Sequence, residues 1–190
     1  MNKNLKKIKE HLSHKFEEKS YKELSKPKTS EIRIPTSLID DITNKAFCFD
    51  DISDSFYNDK LHLSSADALL LRDNLYLIEL KPIGQKELDN NISKKMIESF
   101  HTLRERVFKD SKIDQIDFEI HFILIREDNA ITNCSKAYKK VSKKPTPPVV
   151  DNESFDKYKQ RYVDSNERVY YDSIEIWKKF EFYDKITKLK

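Results

Sequence analysis

The chain has 190 residues and a formal charge of +3, with 37% hydrophobic, 36% charged and 11% aromatic residues. That is the size of one domain with enough aromatics to build a core, and so mild a charge confines any nucleic-acid surface to a local patch. A single glycine, Gly84, excludes a glycine-rich phosphate loop and a dinucleotide fingerprint, and two isolated cysteines, Cys48 and Cys134, are too few for a cysteine zinc site.

Residues 4–23 predict an amphipathic helix, with Leu5, Ile8, Leu12 and Phe16 at helical spacing and Pro27 beyond its end. Its acids Glu17, Glu18 and Glu23 read first as solvated helix charges. Ile32, Ile34 and Pro35 suggest a short extended piece. Thr36 or Ser37 is placed to cap a helix through Ile42 and Ala46, and Phe47-Cys48-Phe49 reads as a buried strand followed by Asp50 and Asp51, turn acids first and metal ligands as the other reading.

The stretch from Ser65 to Pro82 carries the most information. Two apolar runs, Ala68 to Leu71 and Leu75 to Leu80, flank the polar turn Arg72-Asp73-Asn74 and predict a β-hairpin. A three-residue loop with Asn74 in the left-handed conformation pairs Asp67 with Glu79 and puts Lys81 on the same face. A two-residue loop would slip the register by one and send Asp67 to the other side. Both hairpin faces are largely apolar, a costly setting for carboxylates without a cation or donors.

After Pro82 and Gly84 a long helix is expected from about Glu87 to Lys109, with Leu88, Ile92, Met96, Phe100, Leu103 and Val107 as one apolar stripe. Its flank holds Lys94, Lys95 and Glu98 near the hairpin's acids. A strand follows over Ile116 to Ile125, parallel to the Glu79 strand if it shares the sheet. Residues 136–148, with five lysines and three prolines, form either a solvated linker or a loop that holds phosphates through Lys139, Lys140, Lys143 and Lys144. From 155 to 190 tyrosines and lysines alternate with Trp177 and Phe180, and Ser173 to Tyr183 fits strand or helix equally.

Asp67, the eleven residues after it and Glu79-Leu80-Lys81 at the end of an apolar strand resemble the PD-(D/E)XK nuclease superfamily, in particular its small bacterial defence-type members. The resemblance runs from about Leu61 to Arg126. It departs from the family where Ala66 replaces a proline and where no glutamine follows the lysine. Other acid-x-lysine triplets, Glu17-Glu18-Lys19 and Asp110-Ser111-Lys112, lack the strand and the opening acid.

The resemblance implies an α/β fold of one domain with a restriction-endonuclease-like core, a central mixed sheet flanked by helices. It implies Mg2+ or Mn2+ held by Asp67, Glu79 and the carbonyl of Leu80, with Lys81 as a further catalytic group. It leaves the accessory catalytic residue open, and Lys95, by its place on the helix near these acids, is expected to fill it. The expected activity is metal-dependent hydrolysis of DNA, with RNA as the other substrate, in phage defence and under the control of a protein partner or a second copy. Without a signal peptide or long apolar run, a cytoplasmic protein outside any membrane is expected. The alternatives are a catalytically inactive subunit or antagonist of a defence complex on the same fold, an ion pair at the rim of a structural hairpin, and a basic binding module. The near-equal mixing of opposite charges argues against the last.

Overall fold

The computed structural model describes residues 1–26, 38–57, 63–81, 88–126 and 170–189. Helix α1, Lys3–Ser13, starts where the Asn2 side chain accepts the N–H of Asn4 at 2.7 Å and buries Leu5, Ile8 and Leu12. It stops ten residues short of the expected end, because Glu18–Ser20 leaves the helix as strand β1 and pairs with β2. Ser20 and Glu23 then form a reciprocal capping box that starts the short helix α2, Tyr21–Leu24.

Strand β2 is Lys45–Cys48, and Phe49 opens helix α3, Phe49–Phe56, instead of ending the strand. The helix expected through Ile42 and Ala46 does not form. The Asp41 carboxylate accepts the backbone N–H groups of Thr43 and Asn44 at 2.8 and 3.1 Å, satisfying by a turn the donors a helix would have used.

The hairpin is strand β3, Ala68–Leu71, and strand β4, Leu75–Lys81, with Ala68 opposite Ile78 and Leu71 opposite Leu75. The loop has the three residues expected, but Asn74 is not left-handed; among the described non-glycine residues only Lys112 has a positive φ. Arg72 N–H donates to the Asn74 carbonyl at 3.0 Å, and the Asn74 side chain exchanges hydrogen bonds with Glu119 on the next strand. An anchor outside the hairpin therefore sets the turn.

Helix α4, Leu88–Thr102, runs on through a π-helical stretch, Leu103–Phe108, and buries Ile92, Met96, Leu103 and Val107 along the expected stripe. Lys112 terminates it in the left-handed conformation, φ 55°, with Ile113 N–H bonded to the Phe108 carbonyl at 2.8 Å. Strand β5, Ile120–Arg126, begins four residues later than expected. Ile116 is exposed, and Asp117 is tied to the Asn2 and Asn4 side chains of α1. Ser173–Tyr183 divides: Ser173–Lys178 is strand β6, then a 3-10 turn leads into helix α5, Phe182–Ile186.

Six strands form one mixed sheet in chain order, antiparallel from β1 to β4 and parallel from β4 to β6. One face, with Leu69, Leu77, Phe122 and Ile176, lies under α1, α3 and α4. The other, with Ile78, Ile123 and Trp177, is covered by Tyr21, Ile39, Phe182 and Ile186. Among the described residues no helix is long and apolar enough to cross a membrane. Gly84, Cys134, the lysines of 136–148, Tyr158 and Tyr162 lie outside the described residues.

Candidate active site

Continuing the hairpin register by one pair sets Asp67 opposite Glu79. Alternation places both, with Lys81, on the face that carries Leu69 and Leu77, beneath α4. The pair therefore sits in an apolar layer. The Glu79 side chain is 0% exposed and that of Asp67 is 21% exposed.

Cations accompany these acids. Lys95, from the buried flank of α4, puts its ammonium 2.9 and 3.0 Å from the two Glu79 oxygens and 3.9 Å from Asp67 Oδ1. Lys81 lies 2.5 Å from Glu79 Oε1. The remaining Asp67 oxygen accepts the N–H of Leu80 at 2.6 Å. A residue's N–H and C=O point to the same side of a strand, so the Leu80 carbonyl also faces Asp67.

Burial raises the pKa of Asp67 to about 8, with the Glu79 carboxylate adding to the effect, while Lys95 and the Leu80 N–H pull the other way. Burial alone would lower the pKa of Lys95, but Glu79 and Asp67 outweigh it and the net movement is upward. Two carboxylates and two ammonium groups thus share one partly dry site.

The approach to Asp67 is fixed from two helices. Ser65 O–H donates to Asp50 in the first turn of α3, and Phe49 N–H donates to the Asp67 carbonyl at 3.1 Å. From α4, Glu98 accepts the N–H of Ser64 and Ser99 Oγ accepts that of Ala66 at 2.8 Å. Asp50 is thus a buttress in a helix turn, not a loop residue. Of the acids read on the N-terminal helix, Glu18 pairs with Lys9 at 2.8 Å and Glu23 serves the α2 cap.

The four charged residues singled out in the sequence, Asp67, Glu79, Lys81 and Lys95, come together, and Leu80 lies between two of them. Lys139, Lys140, Lys143 and Lys144 are outside the described residues. Sequence reading missed Ser99, although it stands one turn after Lys95 beside Met96 on the buried stripe. It also missed Arg126, which extends the Lys81 row onto β5.

Among the described residues no group of three or more His, Cys, Asp or Glu side chains is arranged to hold a metal ion. The donor set at Asp67 is smaller, two carboxylates and a backbone carbonyl. It suits a hard ion that keeps several waters and takes its other oxygens from a phosphate, as Mg2+ does. Compared with models of known families, with curated proteins and with solved structures, the chain matches none.

Proposed function

We propose that the chain is a metal-dependent nuclease of the PD-(D/E)XK kind, hydrolysing phosphodiester bonds of DNA. The observation that carries this reading is the convergence of Asp67, Glu79 and Lys81 on one face at the end of β4, in the register the resemblance requires. Asp67, Glu79 and the Leu80 carbonyl would hold Mg2+ or Mn2+. The bound ion would act as Lewis acid on the scissile phosphate and lower the pKa of an attacking water.

Lys81 is two residues past Glu79 on the same face, where it can orient that water or meet charge building on a phosphoryl oxygen. Ser99 and Asp50 fix the backbone before Asp67, so the two carboxylates keep their separation without help from substrate. Burial beneath α4 excludes bulk water, which strengthens each of these contacts.

A second reading, an inactive interaction protein on the same fold, draws on two facts. The acids are already balanced by Lys81 and Lys95, and Ile42, Phe180 and Tyr183 are exposed.

Cleavage of plasmid and single-stranded DNA with Mn2+, beside calorimetric titration of the ion, separates the two. We expect Lys81→Ala to lower the cleavage rate by about a hundredfold or more with the fold intact. Glu79→Ala should abolish metal binding. Unchanged cleavage by Lys81→Ala would overturn the nuclease reading, and metal-free, non-cleaving wild-type protein would leave the interaction role.

A further inference from the structure

Lys81, Arg126 and Lys178 are partners in register at the carboxyl ends of the three parallel strands β4, β5 and β6. On β5 the face shared with Glu79 carries Phe122 and Leu124, and on β6 it carries Ile174 and Ile176. Alternation therefore puts Arg126 and Lys178 on that face beside Lys81. Strands lie about 4.8 Å apart, so the row spans roughly 10 Å and begins at the carboxylate pair. The Lys81 ammonium is bonded to Glu79, and a polyanion lying across the three strand ends meets a cationic side chain on each of them. The carboxyl ends of parallel strands are also where open α/β sheets take their ligands.

An aromatic ring ends the row. The Lys178 ammonium stands 5.8 Å from the centroid of Phe180, whose side chain is 63% exposed. A large apolar ring left in water beside a cation is the arrangement on which an unpaired base stacks.

We infer that the row Lys81, Arg126, Lys178 and the ring of Phe180 form the binding track for a single strand of nucleic acid, its phosphates along the cations and one base on Phe180. What happens at the Lys81 end rests on the nuclease reading; the binding itself does not. In a duplex the base faces are covered by their neighbours, so Phe180 selects for a strand that is already open.

The test is fluorescence anisotropy of a labelled oligothymidine and of a hairpin duplex of equal length. The full chain is used in EDTA, which prevents cleavage, over a series of salt concentrations. Phe180→Ala should weaken single-strand binding about tenfold and leave duplex binding within about twofold. Arg126→Gln and Lys178→Gln should each lower the slope of log K against log salt by about 0.7, Lys178→Arg should restore it, and Phe180→Ala should not alter it.

Melting curves check that the Arg126 and Lys178 variants, both at half-buried positions, are folded, and the two strands give the readout independently. Slopes unchanged by both glutamine variants would overturn the track. An equal loss of duplex and single-strand binding in Phe180→Ala would overturn its preference for an open strand. Cleavage that persists with binding unchanged removes the track and keeps the nuclease; binding as expected without cleavage does the reverse.

Discussion

Lys95 is the residue on which the metal-free site depends most. It touches both oxygens of a fully buried carboxylate. Lys95→Met would leave Glu79 with Lys81 alone, and breaking a buried ion pair costs about 3 kcal/mol or more. We expect that loss in the urea midpoint of the metal-free protein, with Mn2+ recovering part of it; an unaltered midpoint would show the contact to be idle. Asp67 gives a pH signature of the opposite kind. Its carboxyl has a pKa near 3.8 unfolded and about 8 folded, so the folded state binds the extra proton between those values. Stability from this group is full below the lower value and falls as pH rises through the window. Asp67→Asn, which keeps an acceptor for the Leu80 N–H, should flatten that fall and raise the melting temperature at pH 8 more than at pH 4. An equal rise at both would remove the proton from the account. On the proposed nuclease reading Asp67 must be ionised to hold the ion, so Mn2+ binding at neutral pH should release a proton, readable by calorimetry in buffers of different ionisation enthalpy.

At the scale of elements, α4 aligns the site, because one of its flanks carries both Lys95 and Ser99. Ser99→Ala removes the acceptor of the Ala66 N–H in a buried place, at a cost of about 1–3 kcal/mol. It should lower activity and stability together, whereas a Ser99→Thr change that keeps the hydroxyl should restore activity first. The hairpin and the stripe of α4 were legible in the sequence, because two strand-length apolar runs around a polar turn and a four-three-four spacing each admit one element. The end of α1 was not. Phe16 continues the helical period, and only the Ser20-x-x-Glu23 box marks a new start. Asn74 was misread because its partner, Glu119, is remote in sequence.

At the scale of the whole molecule the described residues form a sheet covered on both faces, and β6 comes from beyond residue 126. Trp177 and Phe182 complete one core and Tyr171 the other, its hydroxyl bonded to the Met96 carbonyl at 2.6 Å. Among the described residues the aromatic tail therefore reads as fold more than as binding surface, Phe180 and Tyr183 excepted. The two acids and Lys81 were readable since they share one hairpin, and Lys95 since it flanks the apolar stripe of the next helix. Arg126 and Lys178 were not, because their alignment depends on parallel pairings that sequence pattern does not register.

The change of strand direction at β4 also orders events in folding. Asp67 and Glu79 meet once a three-residue loop closes, whereas β5 and β6 join across sequence gaps of 45 and 52 residues. Loop-closure entropy makes the parallel half late. α4 packs on the face that β5 and β6 complete, so the two acids are brought together before it docks with Lys95. In the interval they repel or share a proton, so refolding should be faster at mildly acidic pH than at alkaline pH, and the arrival of Lys95 locks the hairpin it neutralises.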